Sequence, residues 1–234
     1  MNRDSRAARL AALGDVHRLA IVDDLFVSDH TPRELMNRHR LTSSLLAHHL
    51  DVLESASLIR RRQSSGDRRN RYVVLIPQSL NGLLPDSHVG SSSTTFKPLR
   101  ALFVCRQNSA RSQLAAALWR SHHLGKAESA GTEPADTIHP LTLEAARREH
   151  LTVPLVRPRH LRDVQMKHDV IISVCDEARE HVEAREEWLH WSLPDPAKSR
   201  SLRAFKRTID ELNERIIMFK SRQIETTTPR GTAP

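Results

Sequence analysis

The residues with the clearest chemical potential are Cys105 and Arg111, six positions apart in LFVCRQNSARSQLAAALW, residues 102–119. Leu102, Phe103 and Val104 read as a buried strand, and from Ser112 onward Leu114, Ala117 and Leu118 recur at helical spacing. A loop between a strand and a helix start turns successive backbone N–H groups inward, where they can cradle a tetrahedral oxyanion. The loop residues in that position are Arg106, Gln107, Asn108, Ser109, Ala110, Arg111 and Ser112. The Arg111 guanidinium is a planar fork suited to two oxyanion oxygens. The same positive field is expected to favour the Cys105 thiolate, the form of cysteine that acts as a nucleophile.

The chain holds one other cysteine, Cys175, after the apolar run IISV. If that run is a neighbouring strand, Cys175 ends it at the edge of the sheet that carries Cys105. Two cysteines in 234 residues suit chemistry or burial in a reducing compartment more than a structural staple.

Five segments, VCRQNSARSQLAAAL, SAGTEPADTIHPLTLEAARRE, RPRHL, DVIISVCDEARE and LPDP, in this order resemble the low-molecular-weight tyrosine phosphatase superfamily over about residues 99–220, and within it the arsenate reductase branch. The resemblance implies a four-stranded parallel sheet flanked by helices, with the site at the carboxyl ends of the strands. It assigns Cys105 as nucleophile, Arg111 and the loop N–H groups as oxyanion holders, Asn108 as a lock on the loop, Ser112 as a partner of the thiolate, and Asp195 as general acid. The substrate is then an arsenate or phosphate oxyanion. Ala110 stands where the phosphatases usually carry a second cysteine, and the only tyrosine, Tyr72, lies far from Asp195. Both points favour arsenate reduction. Cys175 occupies the place of a resolving cysteine, but no third cysteine follows it in DEAREHV. Either Cys105 and Cys175 form a disulfide directly, or an external thiol resolves the adduct. No bound cofactor is expected, only a reductant: a small thiol, a glutaredoxin-like protein or thioredoxin. Phosphomonoester hydrolysis, or oxyanion sensing without turnover, are the alternatives.

Strands are predicted at 99–104, 126–130, 169–174 and 188–193, and helices at 112–123, 140–150, 177–186 and 201–220. Ahead of them the stretch PQSLNGLLPDSHVGSSSTTFKP reads as a linker, placed at 81–98, and residues 221–234 read as a disordered tail.

Residues 1–80 read as a separate, mainly helical domain. Helices are predicted over about Arg3–Leu13 and Val16–Phe26. Thr31, Pro32 and Glu34 form a capping box that opens a third. A fourth, capped by Thr42, Ser43 or Ser44, runs to about Ser55 with Leu46, Leu50 and Leu53 facing a core. Apolar arms around Ser65-Gly66-Asp67 then predict a β-hairpin. Helix, turn, helix and basic wing is the layout of a winged helix-turn-helix DNA reader. The run LTSSLLAHHLDVLESASLIRRR resembles the ArsR/SmtB-type repressors, over about residues 6–76. By position, Thr42, Ser43, Ser44, Ala47 and His48 would face double-stranded DNA, with Arg62, Arg68, Arg69 and Arg71 on its backbone. A homodimer is implied, because such repressors read two-fold sites. The metal-sensing members carry cysteines near the third helix; Val27–Thr31 has none, so no thiolate metal site is expected here. His17, His30, His39, His48 and His49 read as surface or DNA-facing side chains rather than metal ligands.

Composition agrees with two soluble domains. The first 80 residues hold 13 Arg and no Lys against 9 Asp and Glu, a balance of +4 of the chain's +8. Six of those arginines fall within residues 60–71. No apolar run approaches the roughly 20 residues a membrane helix needs. The charged N-terminus lacks a signal-peptide core, so a cytoplasmic location is expected.

Overall fold

The computed structural model describes residues 2–81, 83, 97–165, 167–182 and 187–227. Two compact units emerge, the first built from residues 1–64 and 68–94 and the second containing residues 95–234. Most of the predicted linker, 81–98, lies outside the described residues. No described helix is long and apolar enough to cross a membrane.

In the first unit, helices α1 (Arg3–Leu13), α2 (Val16–Leu25), α3 (Pro32–His39) and α4 (Ser43–Ser55) precede strands β1 (Ile59–Gln63) and β2 (Arg71–Leu75). Local chemistry sets the boundaries. The Asp15 carboxylate accepts from the N–H groups of His17 and Arg18 and starts α2. Thr31 and Glu34 exchange both hydrogen bonds of a capping box, with Pro32 at the first helical position. Arg40 ends α3 in the left-handed region at φ 52°, and Thr42, not Ser43 or Ser44, caps α4. β1 and β2 pair antiparallel from Ile59–Leu75 to Gln63–Arg71. Leu25, Leu35, Leu50, Leu53, Leu58 and Val73 form the buried centre.

In the second unit the sheet order is β4-β3-β5-β6, all parallel, with β3 (Ala101–Cys105), β4 (Ala127–Gly131), β5 (Val170–Ser173) and β6 (Leu189–His190). β3 is wholly buried between β4 and β5. The chain leaves it for opposite neighbours, so its carboxyl end lies at a topological switch point, where open α/β sheets bind ligands. Helix α5 (Arg111–Ser121) follows β3, α6 (Pro140–Arg148) follows β4, α7 (Asp176–His181) follows β5 and α8 (Leu202–Thr227) closes the unit. Trp119 of α5 packs between Phe103 and Phe219, which joins β3 to α8. At the opposite end of the sheet, Asp169 accepts from the N–H and guanidinium of Arg100 and so clamps the start of β5 to that of β3.

Two expectations need correction. The fourth strand is only Leu189–His190, because Trp188, Trp191 and Leu193 around it are buried in irregular backbone. Residues 221–227, expected within a disordered tail, continue α8 to Thr227, since SRQIETT contains no helix breaker; the rest of the predicted tail, 228–234, lies outside the described residues. Of the helix predicted over 177–186, α7 accounts for Asp176–His181; 183–186 lie outside the described residues.

The Arg100 contacts hold the Asp169 carboxyl down at about 2. A depressed folded value adds stability above the unfolded carboxyl range of about 3.9, and that part is lost as pH falls towards 2. Denaturation of the Asp169→Asn variant should therefore show a weaker loss of stability between about pH 4 and pH 2 than the wild type. Parallel acid profiles would refute the clamp.

Candidate active site and nucleic-acid face

The loop after β3 is shaped by its carbonyls. The N–H groups of Thr132, Glu133 and Ala135 donate to the carbonyls of Cys105, Arg106 and Gln107 at 2.9–3.1 Å. His139 N–H and the Thr142 hydroxyl both donate to the Ser109 carbonyl, at 3.0 and 2.9 Å. With these carbonyls turned outward onto residues 132–142, the loop's N–H groups face the opposite side, as an anion cradle requires, where those of Arg106 and Asn108 meet the two cysteine sulfurs. Gly131 lets the loop approach β4. A Cβ there would meet the Arg106 carbonyl at 2.6 Å and the Asn108 nitrogen at 3.0 Å.

Asn108 sits at the centre, buried and at φ 51°. Its side-chain amide donates to Ser112 Oγ at 2.9 Å, and its Oδ1 accepts from the Arg159 N–H at 3.1 Å. Gln113 Nε2 donates to the Asn108 carbonyl at 3.1 Å. Ser112 Oγ, already accepting from Asn108, lies 3.1 Å from Cys105 Sγ and has its own proton to give the sulfur. The Asn108 backbone N–H also donates to Cys105 Sγ, at 3.2 Å.

Arg111 is the first residue of α5 and only 4% exposed. Its Nη1 donates to the Leu193 carbonyl at 3.0 Å, and its Nη2 lies 3.4 Å from both Glu177 Oε2 and Asp195 Oδ2. Burial works against its charge, but the facing Cys175, Cys105, Asp195 and Glu177 outweigh burial and raise its pKa. Asp195 is positioned twice: its Oδ1 accepts from Ala197 N–H at 3.1 Å, capping the turn Pro196–Ser199, while Oδ2 faces Arg111.

Cys175 caps α7, its Sγ accepting from Ala178 N–H at 3.3 Å and from Arg106 N–H at 3.2 Å. The second sulfur is thus held by the residue directly after Cys105. Both cysteines are free and buried. Burial pushes the Cys175 thiol up to about 12, so at neutral pH it keeps its proton. The structure therefore brings Cys105, Arg111, Cys175 and Asp195 together, with Asn108, Ser109, Ala110 and Ser112 buried and Arg106 and Gln107 exposed. The sequence reading missed Glu177 and the 132–142 support, because neither is adjacent in sequence to the loop it serves.

In the first unit, Thr42, Ser43, Ser44, Ala47 and His48 form an exposed face of α4, opposite buried Leu46, Leu50 and Leu53. Arg68, Arg69 and Arg71 are exposed and Arg62 is half-buried. Arg61 is bound to Asp51 and Glu54 and braces β1 against α4. His49 is buried instead of facing outward, and His30 is buried where its backbone pairs with Val73. They therefore depart from the surface or DNA-facing positions expected of them. Their positions on the inner sides of their elements explain this.

The family model described as low molecular weight phosphotyrosine protein phosphatase matches residues 100–228, more than half of the 234-residue chain. The chain belongs to this family. A comparison with curated proteins finds no match. Among solved structures, the chain is similar to an arsenate reductase from Archaeoglobus fulgidus at 29% identity, over 52% of this chain and 98% of that one, with TM-score 0.47. It is similar to a thioredoxin-dependent arsenate reductase from Corynebacterium glutamicum at 27% identity, over 58% of this chain and 67% of that one, with TM-score 0.44. A low molecular weight protein tyrosine phosphatase from T. tengcongensis is 20% identical, over 53% of this chain and 99% of that one, with TM-score 0.47.

Two substitutions separate the roles of Asn108 in this phosphatase-family loop. Asn108→Gly tolerates φ 51° but deletes the side-chain bonds; Asn108→Ala deletes them and adds left-handed strain of about 1–2 kcal/mol. Both should weaken inorganic phosphate binding by about tenfold, the value of one lost hydrogen bond of about 1.4 kcal/mol. Only the alanine variant should lose the further stability. Calorimetry and thermal denaturation check this; unaltered affinity in both would contradict the lock.

Proposed function

We propose that the chain is a DNA-binding regulator fused to a cysteine-dependent arsenate reductase. The observation that carries the reductase reading is the hydrogen bond from Arg106 N–H to Cys175 Sγ, which sets a second thiol against the loop of the first. In the proposed reaction the Cys105 thiolate attacks As(V), and one arsenate oxygen leaves as water after protonation, with Asp195 as acid. Cys175 then gives its thiol proton to an oxygen of the departing arsenite as its sulfur attacks Cys105 Sγ. The S–S bond forms, the S–As bond breaks, and its electron pair stays on arsenic, which leaves as arsenite. Two thiols are oxidised and one arsenic is reduced by two electrons. Two external thiols, from a small-molecule thiol, a glutaredoxin-like protein or thioredoxin, reduce the disulfide to the starting state and become a disulfide themselves. Arg111 and the loop N–H groups stabilise the charge throughout.

The phosphatase reading has support of its own in Asp195, capped in place and facing Arg111, where a leaving-group oxygen would need a proton. The two are separated by one experiment. Arsenate added to the reduced chain without external thiol should give one arsenite and one Cys105–Cys175 disulfide per chain, found by peptide mass mapping. Cys175→Ser should abolish that turnover but keep hydrolysis of an aryl phosphate at about pH 5, where the ester retains a proton. Aryl phosphate hydrolysis with no arsenite formed would assign the domain to the phosphatases.

For the first unit we propose a winged helix-turn-helix that reads DNA as a homodimer, with α4 in the major groove and the hairpin arginines on phosphates. The support is the polar exposed face of α4 beside exposed Arg68, Arg69 and Arg71. Replacing these three arginines with alanine should weaken binding to all sequences and lower the log–log salt slope by about 0.9 per lost phosphate contact. An unchanged slope would remove the hairpin from the interface.

A further inference from the structure

We propose that Glu177 selects oxyanions that carry a proton, admitting hydrogen arsenate and hydrogen phosphate and rejecting sulfate and fully ionised phosphomonoesters. The proposal rests on the oxyanion reading of the Cys105 loop and adds a specificity residue to it.

Glu177 stands at the second position of α7, with a side chain 16% exposed. Its Oε2 is 3.4 Å from Arg111 Nη2, and its Oε1 is 3.6 Å from Lys198 Nζ. Asp195 Oδ2 is 3.4 Å from the same Nη2. Arg111 Nη1 is meanwhile committed to the Leu193 carbonyl at 3.0 Å. The arm of the fork that an oxyanion engages is therefore the arm flanked by two carboxylates. Asp195 has a use there, as the acid of the proposed reaction. Glu177 has no such use in the reaction. It is a second carboxylate, braced from outside by Lys198, beside the oxygen that arrives at Nη2.

An ionised carboxylate only accepts hydrogen bonds. Against a bare oxyanion oxygen it offers repulsion and an unmade bond; against an O–H it accepts a charge-assisted hydrogen bond. A site built to bond a ligand hydroxyl strongly rejects an analogue that lacks it, because the site's own polar group is left unpaired. Hydrogen phosphate and hydrogen arsenate keep an O–H at neutral pH. Sulfate has none, and a phosphomonoester loses its last proton at a pKa of about 6. The same carboxylate therefore favours the inorganic oxyanion over the phosphoester, the preference a reductase of arsenate needs and a phosphatase does not.

The test is equilibrium binding of sodium phosphate and sodium sulfate to the intact, reduced chain by titration calorimetry at neutral pH and matched ionic strength. The wild type should bind phosphate at least about tenfold more tightly than sulfate, a gap of about 1.4 kcal/mol. Glu177→Gln, whose amide can both donate and accept, should keep phosphate affinity within a few-fold and gain sulfate affinity until the two approach each other. A gain of binding cannot come from misfolding. If Glu177 only orients Arg111, the variant will weaken both anions in proportion and leave their ratio unchanged, which overturns the proposal. If the wild type binds neither anion, the oxyanion reading of the loop fails and the proposal with it. Because no turnover is involved, the predicted change of ratio in a chain that does not reduce arsenate would uphold Glu177's role while removing the reductase reading.

Discussion

The second unit depends on where the carbonyls of residues 105–109 point. A short loop has as many acceptors as donors, and a cradle for an anion forms only if the acceptors are satisfied elsewhere. Here residues 132–142 supply that outlet, taking up the carbonyls of Cys105, Arg106, Gln107 and Ser109. The parallel pairing of β3 with β4 brings the two segments side by side, Cys105 opposite Gly131, and the missing Cβ at Gly131 allows the close approach. Asn108 then fixes the loop from within through Ser112, Gln113 and the Arg159 backbone.

Charge is concentrated behind that cradle. Arg111 is buried with two sulfurs and two carboxylates around it, so its pKa is raised despite burial. The two cysteines differ in their surroundings: Cys105 receives hydrogen bonds from the loop it begins, whereas burial leaves Cys175 a protonated thiol. In the proposed reduction Cys105 would be the nucleophile and Cys175 the reserve thiol at the same sheet edge, with Glu177 and Asp195 flanking the Arg111 Nη2 that an oxyanion would meet.

Legibility followed the range of the interactions. The strand–Cys105–helix pattern is local, and so are the Thr31–Glu34 capping box and the extent of α1, so each was readable from neighbouring residues. The four-stranded parallel sheet was implied by the family resemblance and agrees with strands alternating with helices; the order β4-β3-β5-β6 was not read from the sequence. What escaped was long-range or permissive. Glu177 meets Arg111 from 66 positions away. The 132–142 segment works through backbone groups, which side-chain patterns do not reveal. The shortness of β6 reflects Trp188 and Trp191, which are strand-like in type but buried in irregular backbone, and the extension of α8 reflects a polar segment that nothing in its sequence forbids from continuing a helix.

The central claim is that the Cys105 loop is an oxyanion cradle closed by Arg111. Its most direct test is a crystal structure of the full chain grown with inorganic phosphate. The account predicts a phosphate in line with Cys105 Sγ, held by backbone N–H groups of residues 106–111 and by the Arg111 guanidinium. A phosphate bound only elsewhere, with an empty loop and Arg111 still paired to Glu177 and Asp195, would contradict it.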